Sequence, residues 1–175
     1  MRVLVVYATH YGATKGIGEK IAQTLEHADL DVVLRSADED FTGLAAEGFD
    51  AFVIGSAIHA GGWIGSGVDF VRHNVDVLAT RPTWLFSSGP VGDKSVGQPQ
   101  EDPRQIAEFR RSLDVKDHVV FGGAFDPATA DLSRANWLER QFVTHVMPAG
   151  DYRNWEQITA WSKAIAEELS AVPVA

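Results

Sequence analysis

Thr9-His10-Tyr11-Gly12-Ala13-Thr14 sets two hydroxyls, a glycine and a small side chain between an apolar run, Val3-Leu4-Val5-Val6, and a helical pattern. Hydroxyl donors and free backbone N–H groups at the head of a helix suit the capture of an anion, because the helix turns its positive end toward the turn. No Gly-x-Gly-x-x-Gly follows the strand, and no Gly-Lys-Ser/Thr closes a triphosphate loop. A turn of this length wraps one terminal monophosphate with little help from charged side chains. The plain alternative is a βα turn capped by threonine, with Lys15 a solvated first-turn lysine.

Two further segments are small, polar and glycine-rich: Gly55 to Trp63, and Ser87 to Lys94. Glycine lets backbone approach a flat ligand closely, so these segments read as two walls of a slot beside the anion turn. The elements that position them alternate along the chain. Strands are expected near 2–7, 31–36, 50–55, 82–88 and 117–123, and helices near 13–27, 64–78, 102–112 and 154–170. Such alternation implies right-handed βαβ units: an α/β three-layer sandwich on a five-stranded parallel sheet of order 2-1-3-4-5. The segment 31–36 is flanked by charge and reads as an edge. The topological switch point then lies between the first and third strands, where ligands of open sheets collect at the carboxyl ends.

The 175 residues are read as one domain, 1–175, with 45% hydrophobic content to fill its core. Zero cysteines exclude disulfides, thiolate metal sites and thiol redox chemistry. A net charge of −9, from 24 acidic and 15 basic residues, opposes binding to nucleic acid. The six histidines show no metal spacing and no Gly-x-Ser-x-Gly elbow is present, which argues against a metal site and a hydrolase. With no leader pattern and no apolar run of membrane-spanning length, a cytoplasmic protein is expected, with peripheral membrane contact at most.

These residues resemble the flavodoxin-like family, whose usual first-loop pattern, Ser/Thr-x-Thr-Gly-x-Thr, stands here with Tyr11 in place of the third hydroxyl residue. Within it the chain is most similar to the quinone-dependent protoporphyrinogen oxidases, on Ile54-Gly55-Ser56-Ala57-Ile58-His59, Gly122-Gly123-Ala124-Phe125 and Asn154-Trp155-Glu156-Gln157. The resemblance implies FMN as cofactor, its phosphate on Thr9, His10, Tyr11, Gly12, Ala13 and Thr14. It implies a ring bordered by Ser56, Ala57, Ile58, His59 and Trp63 on one side and by Ser87, Ser88, Gly89, Pro90, Val91 and Gly92 on the other. Trp63 either stacks over the ring or packs at the head of a helix, and His59 either bonds flavin or substrate or is a solvated loop histidine. The deazaflavin F420 is the alternative cofactor.

Residues 124–153 form an insertion before the last helix, longer than a routine connection. Leu132, Leu138, Phe142, Val146 and Met147 recur there at near-helical spacing, so an amphipathic helix is expected, with Trp137 alongside. Arg134 and Arg140 either pair with substrate carboxylates, which suit the guanidinium fork, or are solvated surface charges. The resulting expectation is an FMN-dependent oxidoreductase passing electrons between an organic substrate, protoporphyrinogen IX being the candidate, and a quinone. No catalytic side chain is required beyond His59 as a candidate, since the flavin carries the chemistry. The alternative is an electron-carrier flavodoxin that docks basic redox proteins.

Overall fold

In the strand Arg2–Ala8 (β1) alternate residues point to opposite faces, and both faces are apolar. Val3, Leu4, Val5 and Val6 are all 0% exposed, the signature of a central strand of a parallel sheet covered on both sides. The computed structural model describes residues 1–89, 101–127 and 149–171. The remaining strands are Asp31–Ser36 (β2), Ala51–His59 (β3), Gly62–Trp63 (β4), Thr83–Ser88 (β5) and Val115–Phe121 (β6). The helices are Ala13–Glu26 (α1), Gly65–His73 (α2), Val75–Leu78 (α3), Ile106–Ser112 (α4) and Trp155–Ser170 (α5).

The sheet order is β2-β1-β3-β5-β6, every neighbouring pair parallel, while β4 folds back antiparallel on the end of β3. With the two-residue β4 set aside, this is the expected 2-1-3-4-5 order, and 31–36 is an edge. Val3, Val5, Val53, Trp84 and Phe86 pack under α1 and α5. Leu4, Val6, Phe52, Ile54 and Leu85 pack under α2, α3 and α4. The layers are therefore helix, sheet, helix.

Four boundaries depart from expectation. β3 runs to His59 rather than ending at residue 55, because its last residues gain a partner in β4 (Ile58↔Trp63, His59↔Gly62). The helix expected over 64–78 divides at Asn74, whose side-chain Nδ2 donates to the Phe70 carbonyl at 2.8 Å. α4 begins at Ile106 instead of residue 102. The last parallel strand is 115–121, so Gly122 and Gly123 leave the sheet, and a Cβ on Gly122 would lie 2.1 Å from the Tyr152 carbonyl oxygen.

That close approach brings together the two limbs of the 124–153 insertion. Ala124–Phe125 (β7) and Gly150–Asp151 (β8) pair antiparallel, and the Tyr152 N–H donates to the Gly123 carbonyl at 3.0 Å. The expected amphipathic helix, with Arg134, Trp137 and Arg140, lies outside the described residues. No helix among the described residues is long and apolar enough to cross a membrane.

Candidate functional site

The carboxyl end of β1 turns into α1 through the hydroxyl of Thr9, which accepts the Gly12 N–H at 3.0 Å. Gly12 then takes φ 87°, a left-handed conformation that side-chain-bearing residues adopt at a cost, and serves as helix N-cap without a side-chain cap. The first intrahelical bond runs from the Gly16 N–H to the Gly12 carbonyl at 3.1 Å. The amides of Ala13, Thr14 and Lys15 precede it and have no acceptor within the helix. No acidic residue stands in this first turn, so the positive end of α1 is not offset there. Gly12 thus contributes backbone shape rather than a free donor, its N–H being held by Thr9.

Thr14 is 0% exposed, and its Oγ1 is the buried side-chain oxygen or nitrogen without a hydrogen-bond partner among the described residues. A buried hydroxyl left unmatched costs about 1–3 kcal/mol. An anion reaching the turn would relieve that cost, once the atoms covering the hydroxyl shift. The chemistry of the turn therefore fits a phosphate: an orphan hydroxyl, three first-turn amides and the Thr9 O–H. Lys15 pairs with Glu19 at 3.7 Å and both are exposed, in keeping with a solvated lysine.

The segment expected to form the first wall is a hairpin. Ala60 and Gly61, at φ 48° and 75°, form the two-residue turn between β3 and β4, a pair of left-handed residues that matches the natural strand twist. Ser56 is fully buried, accepting the Ile64 N–H at 3.2 Å and so tying β3 to the head of α2. Ala57 and Ile58 are half-buried and His59 is exposed. Of the implied ring contacts on this side, Ile58 and His59 reach the surface while Ser56 belongs to the interior.

Trp63 does not present its ring to the crevice. It is 5% exposed, its ring centroid lies 5.3 Å from that of Phe109, and its indole N–H donates to Ser87 Oγ at 2.8 Å. The packing role, not stacking over a flavin, describes its place. Gln105 Oε1 accepts the Trp63 backbone N–H at 3.0 Å, and the Arg104 N–H donates to the Gly61 carbonyl at 3.2 Å, so the approach to α4 holds the hairpin in position.

On the second wall, Ser87 is 0% and Ser88 4% exposed, and the Gly89 N–H donates to the Phe121 carbonyl at 3.0 Å. Gly89 sits at φ 127°, with a Cβ there falling 3.7 Å from Ile58 Cβ, so the two walls adjoin. Pro90, Val91 and Gly92 lie outside the described residues. Ser87 also bonds His118 Nε2 at 2.9 Å, and His118 Nδ1 bonds Asp102 Oδ1 at 2.9 Å. Sequence reading missed His118 and Asp102 and foresaw no such series. It has the order of a hydrolytic triad, yet Ser87 is sealed beneath Trp63 where no carbonyl can reach it.

Aromatic rings gather where the anion turn meets the first wall. The His10 ring centroid lies 6.3 Å from that of His59 and 5.9 Å from that of Tyr11, and Tyr11 meets Phe125 of β7 edge-on at 5.6 Å. The other limb of the insertion reaches the head of α1. Arg153 stacks on Trp155 at 4.4 Å, bonds both carboxylate oxygens of Asp151, and lies where a Cβ on Gly16 would meet its Nη1. Those bonds hold the Asp151 carboxyl below its ordinary range.

The flavodoxin domain model matches residues 4–154. Among solved structures, a flavodoxin from the domain Archaea aligns at TM-score 0.62 and 19% identity over 97% of this chain and 99% of its own. A mutant of flavodoxin from Pseudomonas aeruginosa aligns at 0.64 and 14% over 98% and 100%. The rubredoxin oxygen:oxidoreductase from Desulfovibrio gigas aligns at 0.65 and 15% over 97% of this chain, which spans 36% of that longer protein. No match was found among the curated proteins. The matched fold and the turn at the end of β1 agree: the chain belongs to the flavodoxin domain family.

Proposed function

We propose that the chain binds FMN and moves electrons through it. The observation that carries this reading is Thr14 Oγ1, in the first turn of α1, a buried hydroxyl without a hydrogen-bond partner among the described residues. Thr9, Thr14 and the amides of Ala13, Thr14 and Lys15 would hold the phosphate. Ile58 and His59 with Ser88 and Gly89 would border the ring at the switch point between β1 and β3. The bound flavin supplies the redox chemistry. The chain supplies binding, orientation and exclusion of water, and a net charge of −9 favours a basic redox partner by electrostatic steering.

A second reading, an oxidoreductase acting on an organic substrate such as protoporphyrinogen IX with a quinone as acceptor, draws on one observation. β7 of the insertion lays Phe125 against Tyr11, bringing that segment to the rim of the anion turn. The experiment begins with the visible spectrum of the purified protein and the mass of the cofactor it releases. A yellow protein releasing FMN is expected, and a released mass of F420 would change the cofactor. A colourless protein that takes up no FMN in equilibrium dialysis would refute the proposal. Rapid oxidation of the reduced protein by a quinone analogue supports the enzyme, and exchange with a basic redox protein alone supports the carrier.

A further inference from the structure

A continuous polar series runs through the core beside the proposed ring site. Trp63 Nε1 to Ser87 Oγ is 2.8 Å, Ser87 Oγ to His118 Nε2 2.9 Å, His118 Nδ1 to Asp102 Oδ1 2.9 Å, and Arg110 Nη1 to Asp102 Oδ2 2.9 Å. Its protons have a single assignment that serves every partner. The indole and guanidinium can only donate and the carboxylate can only accept. Ser87 therefore accepts from Trp63 and donates to His118 Nε2, while the neutral imidazole donates from Nδ1 to Asp102.

We infer that His118 is a positioning residue whose neutral form clamps the two walls of the ring site together. It joins Ser87, at the end of β5, to Asp102, at the approach to α4. That same approach grips the β3–β4 hairpin through Gln105 and Arg104, and Ser87 grips it again through Trp63. One imidazole thus closes a ring of contacts around both walls.

The clamp depends on protonation. The His118 side chain is fully buried, and that burial holds its imidazole below the ordinary histidine range, against the opposing pull of Asp102. The charged groups facing it are Asp102 and Arg110 from α4 and its approach and Asp117 on β6, while β5 and β4 bring the uncharged Ser87 and Trp63. A second proton, on Nε2, turns the acceptor of Ser87 into a donor. The serine oxygen then faces two donors and its own proton loses its acceptor, so the Trp63–Ser87–His118 geometry must rearrange.

The contacts between the walls belong to the fold itself, and their bearing on a flavin rests on the function proposed above. The test is a titration of the full-length apo protein, labelled with nitrogen-15, from about pH 8 down to about pH 5. The Trp63 indole resonance, assigned by loss in Trp63→Phe, is expected to move with the titration of His118, and Ser87→Ala is expected to abolish the movement. An indole resonance that stays fixed while His118 titrates, or that moves equally in Ser87→Ala, overturns the clamp. In a parallel series FMN binding is expected to weaken over that range roughly threefold to tenfold more in the wild type than in His118→Gln, which cannot titrate and retains only the dependence due to the phosphate of FMN itself. An FMN affinity with the same pH dependence in both proteins also overturns the inference. Failure to bind FMN at any pH defeats the preceding reading and leaves the indole resonance to decide the clamp.

Discussion

Thr14→Val keeps the shape of the side chain and removes only the hydroxyl, so it separates the needs of the fold from those of the ligand. Both residues are β-branched and carry similar helix propensity, so the backbone terms nearly cancel. Thr14 is 0% exposed and its hydroxyl is unmatched among the described residues, a condition costing about 1–3 kcal/mol that valine relieves. The free protein should therefore gain about 1–2 kcal/mol, raising Tm by about 2–8 °C for a chain of this size. Phosphate binding should move the other way. A hydrogen bond to a charged group contributes about 1.5–3 kcal/mol, so FMN affinity should fall about 10- to 150-fold. Riboflavin, identical in its ring but lacking the phosphate, should bind with unchanged affinity. The assay pairs calorimetry of the free protein in phosphate-free buffer with fluorescence titration by both flavins. A lowered Tm together with an unchanged ratio of FMN to riboflavin affinity would show that Thr14 serves packing alone.

Gly55→Ala should destabilise strongly without touching the anion turn: its Cβ would fall 2.0–2.3 Å from three ring atoms of Phe86, a fully buried side chain with no room to turn. Overpacking of this kind costs about 1–3 kcal/mol, and Phe86→Leu on the same chain should recover part of the lost urea midpoint. The second expectation concerns pH. Burial keeps His118 below its ordinary value of 6.5, so the unfolded chain takes up this proton before the folded one does. The stabilisation it brings is complete above about pH 6.5 and declines as pH falls through the folded value. Urea midpoints should therefore fall on acidification, and His118→Gln should flatten that limb of the curve.

The unbroken runs Val3–Val6 and Trp84–Phe86 announced central strands because burial on both faces leaves no place for polar alternation. The same rule failed over Ser56-Ala57-Ile58-His59. Their composition reads as loop, and their strand character comes from pairing with Gly62 and Trp63, fixed by the left-handed Ala60–Gly61 turn. Gly55 looked like a place for ligand approach but is small because the Phe86 ring occupies the space. Length and spacing gave the sheet order because short connections leave few ways to thread it, whereas the exact strand ends depend on partners remote in sequence.

The geometry of the turn after β1 was legible for a local reason: Thr9, Gly12 and Thr14 lie within one turn of chain, so their spacing carries their arrangement, and the anion it would hold is the proposal made above. The clamp was not, since Ser87 and Asp102 lie 31 and 16 positions from His118: Ser87 meets it through the register of β5 with β6, and Asp102 through the packing of the approach to α4. One sign was nonetheless available. In Val115–Phe121, His118 shares its face with Val120 rather than with the exposed Asp117, so alternation points an imidazole inward. An inward histidine needs a donor and an acceptor, because the interior punishes an unmatched polar group. Its two demands could have been matched against the polar residues of the neighbouring strand, where Thr83 and Ser87 are the buried hydroxyls on the same face and Ser87 lies toward the carboxyl end. Thr14 makes the opposite case. Its hydroxyl stands in an equally dry place and has no partner among the described residues, and that contrast is the ground on which a ligand is proposed for Thr14 and none for His118.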